Sequence, residues 1–69
     1  MKDGKLVFEA TYQTTLWVHT DFIICGDRFE AEMYADKECR SHGAELTHLI
    51  PVRRRDIKVG KNYSTVELT

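Results

Sequence analysis

The sequence predicts an α+β domain: one mostly antiparallel sheet of four or five strands with a single helix, about residues 27–42, packed on one face. Three observations carry this expectation. Residues 6–24 alternate apolar and polar with a period of two, as half-buried strands do. The stretch from Asp27 to Gly43 has both a start and a stop signal for a helix. Alternation then resumes after Gly43, so strand patterns flank one helix on both sides.

The first strand region has Leu6, Phe8, Ala10, Tyr12, Thr14, Leu16, Val18, Thr20, Phe22 and Ile24 at even positions. Glu9, Thr11, Gln13, Thr15, His19 and Asp21 stand at odd ones, which predicts an even core face and an odd solvent face. Nineteen residues exceed one ordinary strand, so a reversal is expected at Gln13-Thr14-Thr15 or at His19-Thr20-Asp21. Val7, Trp17, Ile23 and Cys25 break the pattern, and Trp17 is expected on the polar face.

In the helix, Asp27 is placed to accept hydrogen bonds from the first turn, and Glu30 to reach back to the Asp27 N–H. Gly43 closes the helix in a left-handed conformation, with Lys37, Arg40 and His42 near the negative end of its dipole. At about 100° per residue, Ala31, Tyr34, Ala35, Cys39 and His42 fall on one arc, with Glu38 among them. The small residues Ala31 and Ala35 let the helix sit close to a sheet. Phe29 and Met33 belong to another stripe, separated by Glu32 and Asp36, and are expected at the edge or in solvent. They form either a flap over the sheet edge or a contact for a partner or second copy.

After the helix, Ala44, Leu46, His48, Ile50 and Val52 alternate with Glu45, Thr47, Leu49 and Pro51. Proline lacks an N–H for the ladder, so this strand ends at an edge or bulge. His48 lies on its apolar side and reads as a core histidine. Arg53-Arg54-Arg55-Asp56 then leads into Ile57-Lys58-Val59, a turn at Gly60-Lys61-Asn62 and a last strand from Tyr63 to Leu68, which together suggest a hairpin.

Sixty-nine residues make one domain, 1–69, with a small core. A chain of this size buries only about 60% of its unfolded surface. Net charge is −1, unevenly spread: residues 1–52 carry five Lys/Arg against nine Asp/Glu, and residues 53–69 carry five against two. No apolar run approaches a membrane span, and Met1 to Lys5 leads into strand without a signal-peptide core, so a cytoplasmic location is expected. Two cysteines are too few for a disulfide scaffold and suit a reducing compartment.

Cys25, Cys39, His42 and His48 invite a zinc site, but Cys25 and Cys39 are too far apart for a knuckle. Small buried thiols are expected instead, with neither metal nor cofactor. No phosphate loop, Ser-His-Asp pattern or paired glycosidase carboxylates stand out, so an enzyme is not expected. Asp21, Asp27, Glu30 and Glu32 suggest an acidic patch near the helix start, serving the helix dipole or imitating nucleic-acid charge.

Arg53, Arg54 and Arg55 with Lys58 and Lys61 place five positive charges in nine residues against Asp56. Such an edge either protects open strand groups from aggregation or binds phosphate or an acidic protein surface. Trp17, Tyr12 or Tyr63 could add a stacking ring. The expected partner-binding residues are therefore Arg53, Arg54, Arg55, Lys58, Lys61, Phe29, Met33 and Trp17.

From Phe22 to Val52 a strand precedes a helix bearing Glu30-Ala31, Tyr34-Ala35 and Lys37-Glu38-Cys39-Arg40-Ser41-His42-Gly43, and a second strand follows. This body resembles small phage-encoded inhibitors of the anti-CRISPR type, over about half the chain and without a diagnostic motif. The resemblance implies a stoichiometric binder that blocks a nucleic-acid-handling host complex by protein–protein contact. The expected function is accordingly a non-enzymatic binding protein with a protein partner. A nucleic-acid-binding module using the basic edge is the alternative, and a homodimerising accessory protein a third reading.

Overall fold

The computed structural model describes residues 4–68. Their order is β1 (Leu6–Gln13), β2 (Val18–Cys25), α1 (Arg28–His42), β3 (Glu45–Val52), a single 3-10 turn (Arg54–Asp56) and β4 (Tyr63–Glu67). The four strands form one sheet in the order β3-β1-β2-β4. β1 is antiparallel to β2 and β3, whereas β4 lies parallel to β2, so the sheet is mixed. The helix packs on one face, as the alternation and capping signals require. Among the described residues no helix is long and apolar enough to cross a membrane.

The reversal between β1 and β2 lies at residues 14–17, overlapping the first of the two expected positions. The Thr14 N–H donates to Trp17 O at 2.9 Å, and Thr14 Oγ1 accepts from the N–H groups of Leu16 and Trp17. A hydroxyl thus does the work usually given to Asn-Gly. This four-residue loop changes which residues share a face. Leu6 pairs with Cys25, Phe8 with Ile23 and Ala10 with Asp21, so even residues of β1 stand beside odd residues of β2. The expected continuous even face is therefore wrong beyond the turn. Phe8, Ala10 and Tyr12 meet Ile23 and Cys25 under Ala31 and Ala35, forming the main core. Phe22 and Ile24 face the other way, with Val7, Val52, Ile57 and Tyr63.

Both helix signals are realised, one with a changed partner. Asp27 Oδ1 accepts from the Glu30 N–H at 2.9 Å, but the Glu30 carboxylate accepts from Gly26 N–H at 2.8 Å rather than from Asp27. Gly43 has φ 64° and ψ 33°, and Ala44 N–H reaches Cys39 O at 2.9 Å, closing the C-terminus. Ala31 and Ala35 are completely buried, which brings the helix backbone close to the sheet.

The expected hairpin over residues 57–68 does not form. The Arg53 N–H donates to Asp56 Oδ2 at 3.0 Å, and the Asp56 and Ile57 N–H groups donate to Arg53 O and Arg54 O. These bonds wind the basic run into a tight turn instead of an edge strand. The chain then crosses the sheet face opposite the helix and enters β4 on the far edge. Ile57 drives this route, because it covers Val7, Phe22 and Ile24, whose burial contributes about 1.5–3 kcal/mol for each large side chain. The Gly60-Lys61-Asn62 turn does occur, with Tyr63 N–H donating to Gly60 O at 3.2 Å, but it leads out of the crossover rather than between paired strands.

β3 is an edge strand, as Pro51 suggested. Its register against β1 shifts between Thr11 and Tyr12, where Thr11 pairs with His48 and Tyr12 with Leu46. That bulge turns Leu46 to the helix side while His48, Ile50 and Val52 stay on the opposite face. His48 is exposed rather than buried in the core: its Nε2 lies 2.9 Å from Glu9 Oε2 and 3.1 Å from Thr11 Oγ1.

Candidate functional site

The expected partner-binding residues occupy three separate places. Arg53, Arg54, Arg55, Lys58 and Lys61 are all exposed on the crossover. Asp56, the one acid between them, accepts from the Arg53 backbone and stabilises the turn. Lys58 Nζ lies 5.9 Å from the centre of the Tyr63 ring, a cation–π contact that steadies one of the five cations. Phe29 and Met33 lie on the other side of the molecule, on the outward face of the helix. They are 66% and 58% exposed, and Phe29 packs into neither core cluster. The sheet therefore separates the basic crossover from the Phe29/Met33 pair, and the two cannot form one patch.

Trp17 occupies a third place. It lies in the β1–β2 turn rather than on a strand face, with its ring edge-on to His42 at 6.2 Å between centroids. Together they flank a cleft of about 490 Å³ between the C-terminal half of the helix and the β2–β4 side of the sheet. Tyr12, His19, Asp21, Tyr34, Glu38 and Ser64 contribute its polar groups, and Ala44 and Val66 apolar surface. The sheet register explains the set: Asp21 stands between Ala10 and Ser64, and Ile23 beside Val66, on the helix side. No lysine or arginine is among the described residues that line the cleft.

Asp21 is the chemically unusual member. The sequence placed it on a polar face beside Asp27, Glu30 and Glu32, yet its side chain is only 7% exposed and lies toward the other end of the helix. The alternation identified an odd residue correctly, but after the turn the odd face is the covered one. Burial pushes the Asp21 carboxyl above the usual carboxylate range, while Tyr12 and His19 pull it partly back. The remaining expected acids serve the helix: Asp27 and Glu30 cap it, and Glu32 pairs with Arg28 at 3.1 Å.

Tyr12 is 3% exposed, and its hydroxyl is buried without a hydrogen bond of normal geometry. The Asp21 carboxyl is nevertheless close enough to influence it. Burial first, and then the charge and hydrogen-bonding influence of Asp21, raise Tyr12 far above its ordinary value, with smaller contributions from Tyr34 and Glu38. Tyr34 is raised as well, by burial and then by Glu38 and Asp21. These mutual influences place the phenols and carboxyls within one electrostatic neighbourhood.

His19 Nε2 lies 2.9 Å from Ser64 Oγ and 3.3 Å from Asp21 Oδ1. Serine, histidine and aspartate therefore do meet, which their distance along the chain concealed. Both contacts use the same ring nitrogen, however. A nucleophilic triad needs the carboxylate on Nδ1 so that Nε2 can take the serine proton. The arrangement instead ties β4 to β2.

Cys25 is buried under the helix and Cys39 is half-buried, and burial raises both thiols above their ordinary values. That disfavours the thiolate which reactive and metal-binding cysteines require. His42 borders the cleft while His48 lies on the opposite face, and among the described residues no three ligating groups converge on a metal position.

Comparison of the chain with family models, curated proteins and solved structures gave no match.

Proposed function

We propose that the chain is a cytoplasmic, non-catalytic binding protein that engages an acidic macromolecular surface, foremost that of a protein, through the crossover Arg53–Lys61. The observation that carries this reading is the exposure of five cations on one ordered connection whose only acid is engaged in holding the turn. The 3-10 turn spaces Arg54 and Arg55 by about 120°, and Arg53 precedes it in extended backbone, so the three do not simply alternate between two faces of a strand. Arginine forks suit carboxylates and phosphates alike. A phage-encoded inhibitor of a nucleic-acid-handling complex is a narrower form of the same proposal. It rests on the layout from Phe22 to Val52, a stretch that contains none of the crossover cations.

Fluorescence anisotropy against three defined probes tests the proposal: an oligoglutamate peptide, a single-stranded oligonucleotide and a duplex. Binding is expected to fall at least tenfold when Arg53, Arg54 and Arg55 are all changed to alanine. Preference for the peptide indicates an acidic protein partner. Preference for an oligonucleotide, with a logarithmic salt slope of about −4.5 for full use of the five crossover cations on duplex, indicates nucleic acid. Unchanged affinity in the triple variant removes the crossover as the binding surface.

A further inference from the structure

The cleft beside Trp17 is distinct from the basic crossover, and its chemistry is of the opposite sign. We propose that it binds a compact organic cation, an amine or guanidinium carried on a small apolar or aromatic body. Three features point to that ligand.

The first is charge. Asp21 and Glu38 both line the cleft, and no lysine or arginine accompanies them among the described residues. The imidazoles present take up one oxygen of each acid, His19 Nε2 at 3.3 Å from Asp21 Oδ1 and His42 Nε2 at 3.4 Å from Glu38 Oε1. A cationic group entering between the two carboxylates gains from both, in a setting where burial weakens screening by water.

The second is a poorly satisfied polar pair. The Tyr12 hydroxyl is buried with no hydrogen bond of normal geometry, and the nearby acceptor is the Asp21 carboxyl, which it meets imperfectly. It interacts with Asp21, Tyr34 and Glu38, so it faces the cleft side of the core. A buried hydroxyl whose hydrogen bond is poorly formed is costly, and a further polar group beside Asp21 improves its surroundings. An N–H-bearing cation drawn to Asp21 brings a donor into that neighbourhood.

The third is the shape and material of the walls. About 490 Å³ falls within the range of small-molecule sites. Trp17 and Tyr34 present aromatic rings, which attract cations through their faces and cover apolar ligand bodies. A bare metal ion does not fit these features, since among the described residues no three ligating groups converge.

Trp17 is the chain's one tryptophan and lines the cleft, so its fluorescence reports occupancy directly. Benzylamine and benzylguanidine serve as cationic probes, with benzyl alcohol as the neutral counterpart of similar shape. The expected result is a saturable fluorescence change with the cations and none with the alcohol. Amide shifts in a 15N correlation spectrum should concentrate at Trp17, His19, Tyr34, Glu38 and Ser64. Asp21→Asn should weaken binding at least tenfold. Glu38→Gln lies on the helix surface, where folding tolerates it, and should weaken binding several-fold, so the test survives a misfolded Asp21 variant. Equal binding of benzyl alcohol, absence of saturation with either cation, or unchanged affinity in folded Glu38→Gln overturns the proposal. Retained cation binding in the triple arginine variant is also expected, because the two surfaces are separate.

Discussion

The helix and the crossover each cover one face of the same sheet, but they leave different things beneath them. Under the crossover, Val7, Phe22 and Ile24 are sealed by Ile57 and Tyr63, and no titratable group belongs to that buried cluster apart from the half-buried Tyr63 phenol. Under the helix, Phe8, Ile23 and Cys25 are equally well covered, yet Tyr12 and Asp21 are buried beside an open cleft. The difference follows from geometry. A helix holds its side chains at fixed steps of about 100°, so the alanines that bring its middle close cannot also fill the flank where Tyr34, Glu38 and His42 project. An irregular segment adjusts its backbone until one isoleucine fits. The regular element therefore leaves the polar hollow, and the irregular one makes the tight seal.

Emptying the sealed cluster and then thinning its cover tests this contrast most strongly. Phe22→Ala should cost about 3–5 kcal/mol, enough to bring so small a domain close to unfolding in urea titrations followed by circular dichroism. Ile57→Ala should cost less, about 2 kcal/mol, because its side chain is half-buried and a loop can partly collapse into the space. A negligible cost would mean that the crossover only passes over the sheet without sealing it.

A smaller effect, of opposite sign, is expected on the helix side. Because the folded state raises the Asp21 carboxyl, the native protein binds its proton more readily than the unfolded chain does. This group therefore lowers stability above its raised value, and the loss is relieved as pH falls through that value toward the unfolded one near about 3.9. Asp21→Asn removes the cost of the buried charge. Its melting temperature should exceed that of the parent at pH 7, with about 4–8 °C for each kcal/mol gained, and the difference should close near about pH 4. A constant difference across that range would place the effect in packing rather than ionisation.

The smallest effect belongs to the outward face of the helix. Phe29→Ser combined with Met33→Ser should change stability by no more than about 0.5 kcal/mol per site in chemical denaturation, since neither side chain fills a core position. A loss several times larger would show that one of them covers the sheet edge after all.

Much of the architecture was legible because local chemistry specified it. Asp27 and Gly43 marked the helix ends, Ala31 and Ala35 its inward side, and Phe29 and Met33 its outward side. The alternation marked β1, β2 and β3, and Pro51 an edge strand. The cleft was not legible. Tyr12, His19, Asp21, Tyr34, Glu38 and Ser64 come from four different elements, and their residue types fit ordinary strand and helix surfaces. One signal pointed toward it: Asp21 directly precedes Phe22-Ile23-Ile24-Cys25, and a strand with such an apolar run has both faces covered. The basic residues were visible as a group, although their conformation was not, because one aspartate cap outweighed the extended pattern.

The sequence by itself determined that strands flank one helix up to Val52, where that helix begins and ends, and which of its residues can approach a sheet. These are short-range consequences of period, capping and side-chain size. Only the tertiary structure decided which face of β2 the helix covers, since a four-residue turn exchanged odd for even. It also decided that β4 joins the far edge in parallel, because covering Phe22 and Ile24 with Ile57 favours a crossover over a local hairpin. Asp21 became a buried acid in a cleft through those same two decisions, neither of which is recorded in the residues around it.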